Sequence, residues 1–423
     1  MIRETTLSNG IRVLCEPHKD TRAVSLLVLV KVGSRQEQPI QNGVAHFVEH
    51  LMFKGTVRRP NTLVISQELD SVGADYNAYT SKDHTGYYVK VAAAHLDNAI
   101  DLLADMLTSS TFVPEEVERE RGTILEEINM YEDNPMAKIG DLFEEQLFGP
   151  NTSLGRHIIG TPDTVRAMKR SQLVNFWEKH YRAENMVIAV AGACQYGRTV
   201  RLLEAAFGGV ARGECNVVPK RLTRSARHAG QMAYKKPTNQ AHMILGFPGL
   251  SYDDPDRFAL QIFSVILGGN MSSRLFIGVR ERLGLCYFIR SGTDSYEDMG
   301  SFSIQAGLDL KNVPKALDAV SFEISAIKKN GVERSELSKA QEYMKGKLAL
   351  SLEDSLEIAS FHARQRMFRK KAMTQRELIG AINSVTVQDI QKIAQRICDP
   401  KKAQLVAVSP FADIKRFAKN LIF

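Results

Sequence analysis

Two histidines four residues apart with a glutamate between them, His46-Phe-Val-Glu49-His50, carry the most pointed chemistry in this chain. On a helix, positions i and i+4 project from one face about one turn apart, so both imidazoles can turn a ring nitrogen towards one point. That spacing suits a tetrahedral Zn²⁺, for which histidine nitrogen is a usual ligand. Glu49 lies three residues after His46 and beside His50, close enough to take a proton from a metal-activated water, so it is the expected general base. The surrounding Gly43-Val-Ala-His-Phe-Val-Glu-His-Leu-Met-Phe53 is otherwise apolar. Two imidazoles and a carboxylate in such a helix need partners, and a metal ion supplies one; a pair of satisfied core histidines is the plainer alternative.

A catalytic zinc keeps three protein ligands and one open position, so a third ligand must come from elsewhere. The segment from Val113 to Tyr131 has an apolar stripe of Val113, Val117, Ile124, Ile128 and Tyr131. At about 100° per residue, Glu120 and Glu127 fall together on the edge of that stripe, while Glu126 points to the opposite face. Two carboxylates turned to a core call for a cation. Glu127 is the expected third ligand, and Glu120 the residue that holds or tunes a ligand histidine. One Zn²⁺ per chain follows from this set.

These side chains must be placed by a particular series of elements. A hairpin signal at Asn9-Gly10 precedes the buried-strand run Ala23 to Val32. A helix from about Gly43 to Lys54 and another near Asn61 to Val72 follow. Then come strand-like runs at Ala74 to Thr80 and Gly86 to Ala92, and a helix near Leu96 to Leu107. The long helix from Pro114 to Tyr131 starts with proline in its first turn, where the missing N–H is harmless. The strand Asn185 to Ala191 closes this half. Beyond a glycine-rich, then basic stretch at 208–228, read as a linker, the order returns. Leu96-Asp-Asn-Ala-Ile has a counterpart in Val313-Pro-Lys-Ala-Leu317, Val113-Pro-Glu-Glu-Val in Val332-Glu-Arg-Ser-Glu, and the strand at Val187 in Leu405 to Val408. The offsets of 217, 219 and 218 (313−96, 332−113, 405−187) agree with one another, so two α+β copies are expected, at 1–207 and 229–423. The second copy's helix near Phe258 to Ile266 has no histidine and should bind no metal.

Composition sets the outer bounds. At 423 residues, with 44% hydrophobic and 24% charged, the chain is globular and too long for one ordinary core. A formal charge of +7 could favour an acidic partner, but the dense basic runs are few, at Arg364 to Lys371 and Lys220 to Arg224. No aromatic-interleaved basic motif accompanies them, and nucleic-acid binding is not expected. The five cysteines are scattered with no C-x-x-C spacing, as reduced thiols would be. No signal peptide or membrane span is read from the sequence, so a bacterial-type cytoplasm is the default, with an organelle matrix after transit-peptide removal as the other setting.

The motif set resembles the pitrilysin-like inverted-motif (H-x-x-E-H) zinc metallopeptidases, and within them the mitochondrial processing peptidase and its bacterial relatives. In that family a third zinc-binding Glu follows the second His by about the interval seen here, 77 residues (127−50), with a supporting Glu seven before it. Gly73 to Ser81 resembles the family's edge strand, which implies that Asn77, Ala78 and Tyr79 bind a peptide substrate as an added β-strand. Past the linker, Arg280 and Tyr287 match the spacing of an Arg and a Tyr that reach towards the substrate, with Gly268 to Phe276 as the glycine-containing segment before them.

The resemblance implies two homologous domains, each an antiparallel-rich sheet covered by helices, arranged as a clamshell, the second giving Arg and Tyr to the site. It implies a zinc endopeptidase that cleaves unfolded peptides or presequence-like segments through a metal-activated water. Because one chain carries both the zinc motif and the Arg/Tyr elements, a homodimer or an active monomer is expected rather than an obligate heterodimer. Glu132, Asp133, Asp141, Glu144 and Glu145 fit either a preference for basic side chains or a solvated helix face. The alternative function is a non-catalytic assembly or core subunit of a larger complex, a fate that loss of a ligand or the base would mark; none is lost.

Overall fold

The computed structural model describes residues 2–213, 229–369 and 371–410, together with 413, 414, 417 and 421. Of the expected linker, 214–228 lies outside the described residues, and with it the basic run at Lys220 to Arg224; Lys370 lies outside as well. The chain divides into two compact units, and neither follows a single cut in the sequence. The first takes Met1–Asn129, His157–Lys220 and Ala349–Ala372, and the second Met130–Arg156, Arg221–Leu348 and Met373–Phe423.

The first unit is built on six strands: β1 (Arg3–Thr6), β2 (Arg12–Pro17), β3 (Ala23–Val30), β4 (Asp75–Thr80), β5 (Thr85–Ala92) and β6 (Met186–Gly192). They pair in the order β1-β2-β6-β3-β5-β4, antiparallel except for the parallel β2/β6 ladder, so β4 is an edge. The continuous apolar run of β3 is explained by burial on both faces, since a strand of that kind has no solvent side to make polar. One face of the sheet is covered by a helix from far along the chain, Ser355–Phe368, which packs on β3 and β6. The one polar residue of β3, Ser25, is fully buried there and bonds Ser355 Oγ at 2.8 Å.

The second unit has five strands: β7 (Gly230–Lys235), β8 (Gln240–Gly249), β9 (Cys286–Ser295), β10 (Gly300–Asp309) and β11 (Gln404–Ser409), ordered β7-β11-β8-β10-β9. Matching β7 to β2, β11 to β6, β8 to β3, β10 to β5 and β9 to β4 reproduces the first sheet without β1. The β7/β11 ladder is parallel like its counterpart, and the other ladders are antiparallel. The starts of β6 and β11 are 218 residues apart (404−186), the interval on which the duplication was read. Each unit is therefore a mixed sheet with helices, as expected.

Four helices of the first half bear on the site. They are α1 (Val44–Leu51), α2 (Thr62–Ser71), α3 (Leu96–Ser109) and α4 (Pro114–Asp133). The short α1 buries Val44, Ala45, Phe47, Val48 and Leu51 almost completely. Its free N-terminal N–H groups are met by Glu37, whose carboxylate accepts from Gly43 N and Ala45 N at 2.9 Å each and from Asn42 Nδ2 at 2.8 Å. A carboxylate here also suits the positive end of the helix dipole. Gly43 enters at φ +95°, and a Cβ there would lie 2.6 Å from the Ile159 carbonyl oxygen, so only glycine fits.

The loop after α1 is pinned by Arg59. Its guanidinium bonds Glu68 on α2 and Asp101 and Asp105 on α3, each at 2.8 Å, and Thr56 Oγ1 donates to Asp105 at 2.6 Å. Removing one partner of a buried ion pair leaves the other uncompensated, which costs about 3 kcal/mol or more. Arg59→Ala is expected to lower stability by about that amount, whereas Arg198→Ala, breaking the exposed pair with Asp97, changes it by under about 1 kcal/mol. Urea unfolding followed by fluorescence of Trp177, the single tryptophan and a member of this unit, reads the difference.

Candidate metal centre

On α1, His46 and His50 sit one turn apart with ring centroids 4.5 Å apart and planes inclined at 63°. Their Nε2 atoms face each other at 3.3 Å. The carboxylate of Glu127, arriving from α4, lies 3.6 Å from His46 Nε2 and 3.5 Å from His50 Nε2. Glu120, one pair of turns earlier on the same face, bonds His50 Nδ1 at 3.0 Å, and its other oxygen meets Lys54 Nζ at 2.5 Å. Glu126 is solvent-exposed, as its position on the helix requires. The stripe itself is shorter at its end than expected, because Tyr131 is 38% exposed.

Proton placement decides what this cluster can do. Burial raises the Glu120 carboxyl, but hydrogen bonds from His50 and Lys54 outweigh it and hold the group below its ordinary range. An ionised carboxylate only accepts, so His50 Nδ1 must donate. Burial disfavours the His50 imidazolium, yet the bond to Glu120 and the charges of Glu49 and Glu127 more than offset it. For neutral His50 the Nε2 lone pair is then aimed at the cluster centre. His46 is pushed down to about 3 by burial, with His50 adding to the shift, so its imidazole is neutral. Burial also raises Glu127. With His50 in its neutral form, two imidazole lone pairs and a carboxylate meet with their acceptor atoms together.

The donor set fits a zinc ion. For metal–ligand bonds of about 2.0–2.2 Å, tetrahedral ligands stand about 3.3–3.6 Å apart, and the three separations here fall in that interval. Among the described residues this trio is the one group of His, Cys, Asp or Glu side chains arranged to hold a metal. The helix Arg257–Gly268 of the second unit contains no histidine.

Glu49, on α1 between the two histidines, is not one of the trio. It is 9% exposed, and its Oε2 accepts from Thr80 Oγ1 at 2.5 Å. Burial raises its carboxyl, opposed by the Thr80 bond and by His50. Asn77, Ala78 and Tyr79 lie on β4 at the sheet edge. Arg280 and Tyr287 belong to the second unit, where the Arg280 guanidinium lies over the rings of Phe276 and Tyr287, and Tyr287 is 76% exposed. Of the acidic residues near the start of that unit, Glu132 and Glu144 accept from Tyr234 and Tyr296, and Asp133 pairs with Lys236.

Three residues that serve the cluster went unread in the sequence: Glu37, Lys54 and Thr80. Lys54 had a signal, being four residues after His50 at the end of the stretch expected to be helical, although α1 itself stops at Leu51. Glu37 caps α1 from six residues upstream of Gly43, outside any capping-box spacing, and Thr80 comes from a different element.

The chain is similar to known proteins along most of its length. The model of the insulinase family, peptidase family M16, matches residues 12–162, and that of the peptidase M16 inactive domain matches 167–344. An uncharacterised zinc protease of Streptomyces coelicolor is 36% identical over 417 residues, spanning 97% of this chain and 90% of that protein. One of Bacillus subtilis is 35% identical over 411 residues, 97% of this chain and 98% of the relative. The crystal structure of a protease from Helicobacter pylori superposes with a TM-score of 0.90 at 22% identity, covering 97% of this chain and 99% of that one, a likeness of fold. Matched by both family models and by relatives above 30% identity along nearly its whole length, the chain belongs to peptidase family M16, the insulinase family.

Proposed function

We propose that this chain is a zinc-dependent endopeptidase acting on unfolded peptides or presequence-like segments. The observation that carries the proposal is the meeting of His46 Nε2, His50 Nε2 and a Glu127 oxygen at tetrahedral separations, with the other nitrogen of His50 committed to Glu120. When bound there, a zinc ion supplies a Lewis acid that polarises a peptide carbonyl and makes a water acidic near neutral pH.

The rest is the work of the chain's own side chains. Glu49 takes the proton of the attacking water and hands it to the leaving amine nitrogen, a role that suits a carboxylate in an apolar helix with one oxygen already held. Glu120 keeps the His50 proton on Nδ1 and so leaves Nε2 as a donor to the ion. Among the described residues no strand lies beside the outer edge of β4, which supports binding of an extended peptide there, its register set by main-chain bonds at Asn77, Ala78 and Tyr79. Tyr287, with Arg280 beside it, is assigned to the oxyanion or the substrate backbone. All these groups are on one polypeptide, so a homodimer or a monomer suffices. No helix among the described residues is long and apolar enough to cross a membrane.

Three variants test the assignment. Glu49→Gln should retain zinc, measured by elemental analysis after dialysis, while cleavage of an unstructured quenched-fluorescent peptide falls about 1,000-fold; persistence of cleavage ends the reading. Glu127→Gln should lose both zinc and activity. Glu120→Gln should weaken zinc affinity about 10- to 100-fold in a chelator competition, without removing a ligand.

A further inference from the structure

The mechanism above uses the Glu49 carboxylate but leaves open what fixes its direction. A glutamate has three rotatable side-chain bonds, and a base that swings freely is aligned with its proton only part of the time. Among the described residues, the Glu49 carboxylate makes one hydrogen bond, from Thr80 Oγ1 to Oε2 at 2.5 Å. The threonine hydroxyl donates this bond and the carboxylate oxygen accepts it. The second oxygen, Oε1, is left without a protein partner and is free for water.

Thr80 is itself held firmly, and by a different part of the chain. It is the last residue of β4 and pairs with Thr85, the first of β5. The turn between them is buried: Lys82, Asp83, His84 and Thr85 are all below 5% exposed. Ser81 N bonds His84 O at 2.8 Å, and Thr85 Oγ1 donates to the Val32 carbonyl at 2.8 Å. The segment after β3 then clasps the turn from outside. Ser34 N and Arg35 N donate to the carbonyls of Ser81 and Lys82 at 3.1 and 2.9 Å, and the Arg35 guanidinium pairs with Asp83 at 2.9 Å. Gly33 makes that approach feasible, since a Cβ there would fall 2.2 Å from the Ser81 carbonyl oxygen. A turn locked on both sides presents one hydroxyl to α1 at a fixed place.

We infer that Thr80 is the positioning residue of the Glu49 base: its hydroxyl, fixed by the clasped turn, holds Oε2 so that Oε1 faces the water. The inference rests on the peptidase reading for its effect on rate, though not for the contact itself. The methyl and hydroxyl of threonine separate cleanly by substitution. Thr80→Val keeps the shape and removes the donor, and Thr80→Ser keeps the donor.

The experiment compares these two variants with the parent and with Glu49→Gln. In Thr80→Val, kcat for the quenched-fluorescent peptide should fall about 10- to 100-fold with KM, zinc content and the Trp177 unfolding midpoint unchanged. Thr80→Ser should recover most of the loss. In protein carrying ¹³C at the glutamate side-chain carboxyls, the Glu49 resonance, identified by its absence from Glu49→Gln, should move in Thr80→Val and return in Thr80→Ser. An unmoved resonance and a parental kcat in Thr80→Val overturn the inference, as does a Thr80→Ser variant as slow as Thr80→Val. If Glu49→Gln still cleaves peptide, the peptidase role of Glu49 fails, and the resonance alone then decides whether Thr80 orients that carboxylate.

Discussion

Everything at the candidate centre follows from where one proton goes. His50 has a single N–H when neutral, and Glu120 claims it on Nδ1. The lone pair of Nε2 is thereby turned towards two further acceptors, His46 Nε2 at 3.3 Å and Glu127 at 3.5 Å. With His50 neutral, three acceptors face one point with no donor among them, an arrangement that protein alone does not stabilise. The surrounding structure is what enforces it. Glu37 and Gly43 fix the start of α1, the buried face of that helix fixes its rotation, and the seven-residue spacing on α4 delivers Glu120 and Glu127 together.

The parts of this site that sequence made legible are those whose geometry is set within one element. His46 and His50 are four apart on a helix, and Glu120 and Glu127 are on one edge of another, so periodicity alone placed each pair. Residues that act across elements left no such trace. Thr80 meets Glu49 because a hairpin turn folds back beside α1, which no spacing encodes, and Glu37 reaches the helix start by a loop rather than by a capping box. The family and the α+β class were legible for the same reason as the ligands, being carried by local motifs and by a repeated order of elements. The exchanged segments were not. Ser355–Phe368 carries Arg364 and Arg366 and is followed by Arg369, a run that stood out in the sequence only for its charge, yet Ala363, Gln365, Met367 and Phe368 are buried.

The two sheets also show how little of the chemistry is owed to topology. Strand order and ladder direction are shared, down to the one parallel pair in each. Yet among its described residues the second unit offers no counterpart to the trio, and its helix Arg257–Gly268 is apolar where α1 is studded with imidazole and carboxylate. The scaffold supplies positions; a handful of side chains on one copy supplies reactivity.

The helix that covers β3 and β6 has a consequence for how the molecule comes into being on the ribosome. The last strand of the first sheet ends at Gly192, and the helix that shields it ends at Phe368, 176 residues later (368−192). At ~5–20 residues per second, the nascent sheet waits roughly 9–35 s before its cover emerges. During that interval an apolar surface of Val, Leu and Ile side chains is uncovered, so the nascent chain is most open to aggregation before the helix arrives, whatever the stability of the finished fold.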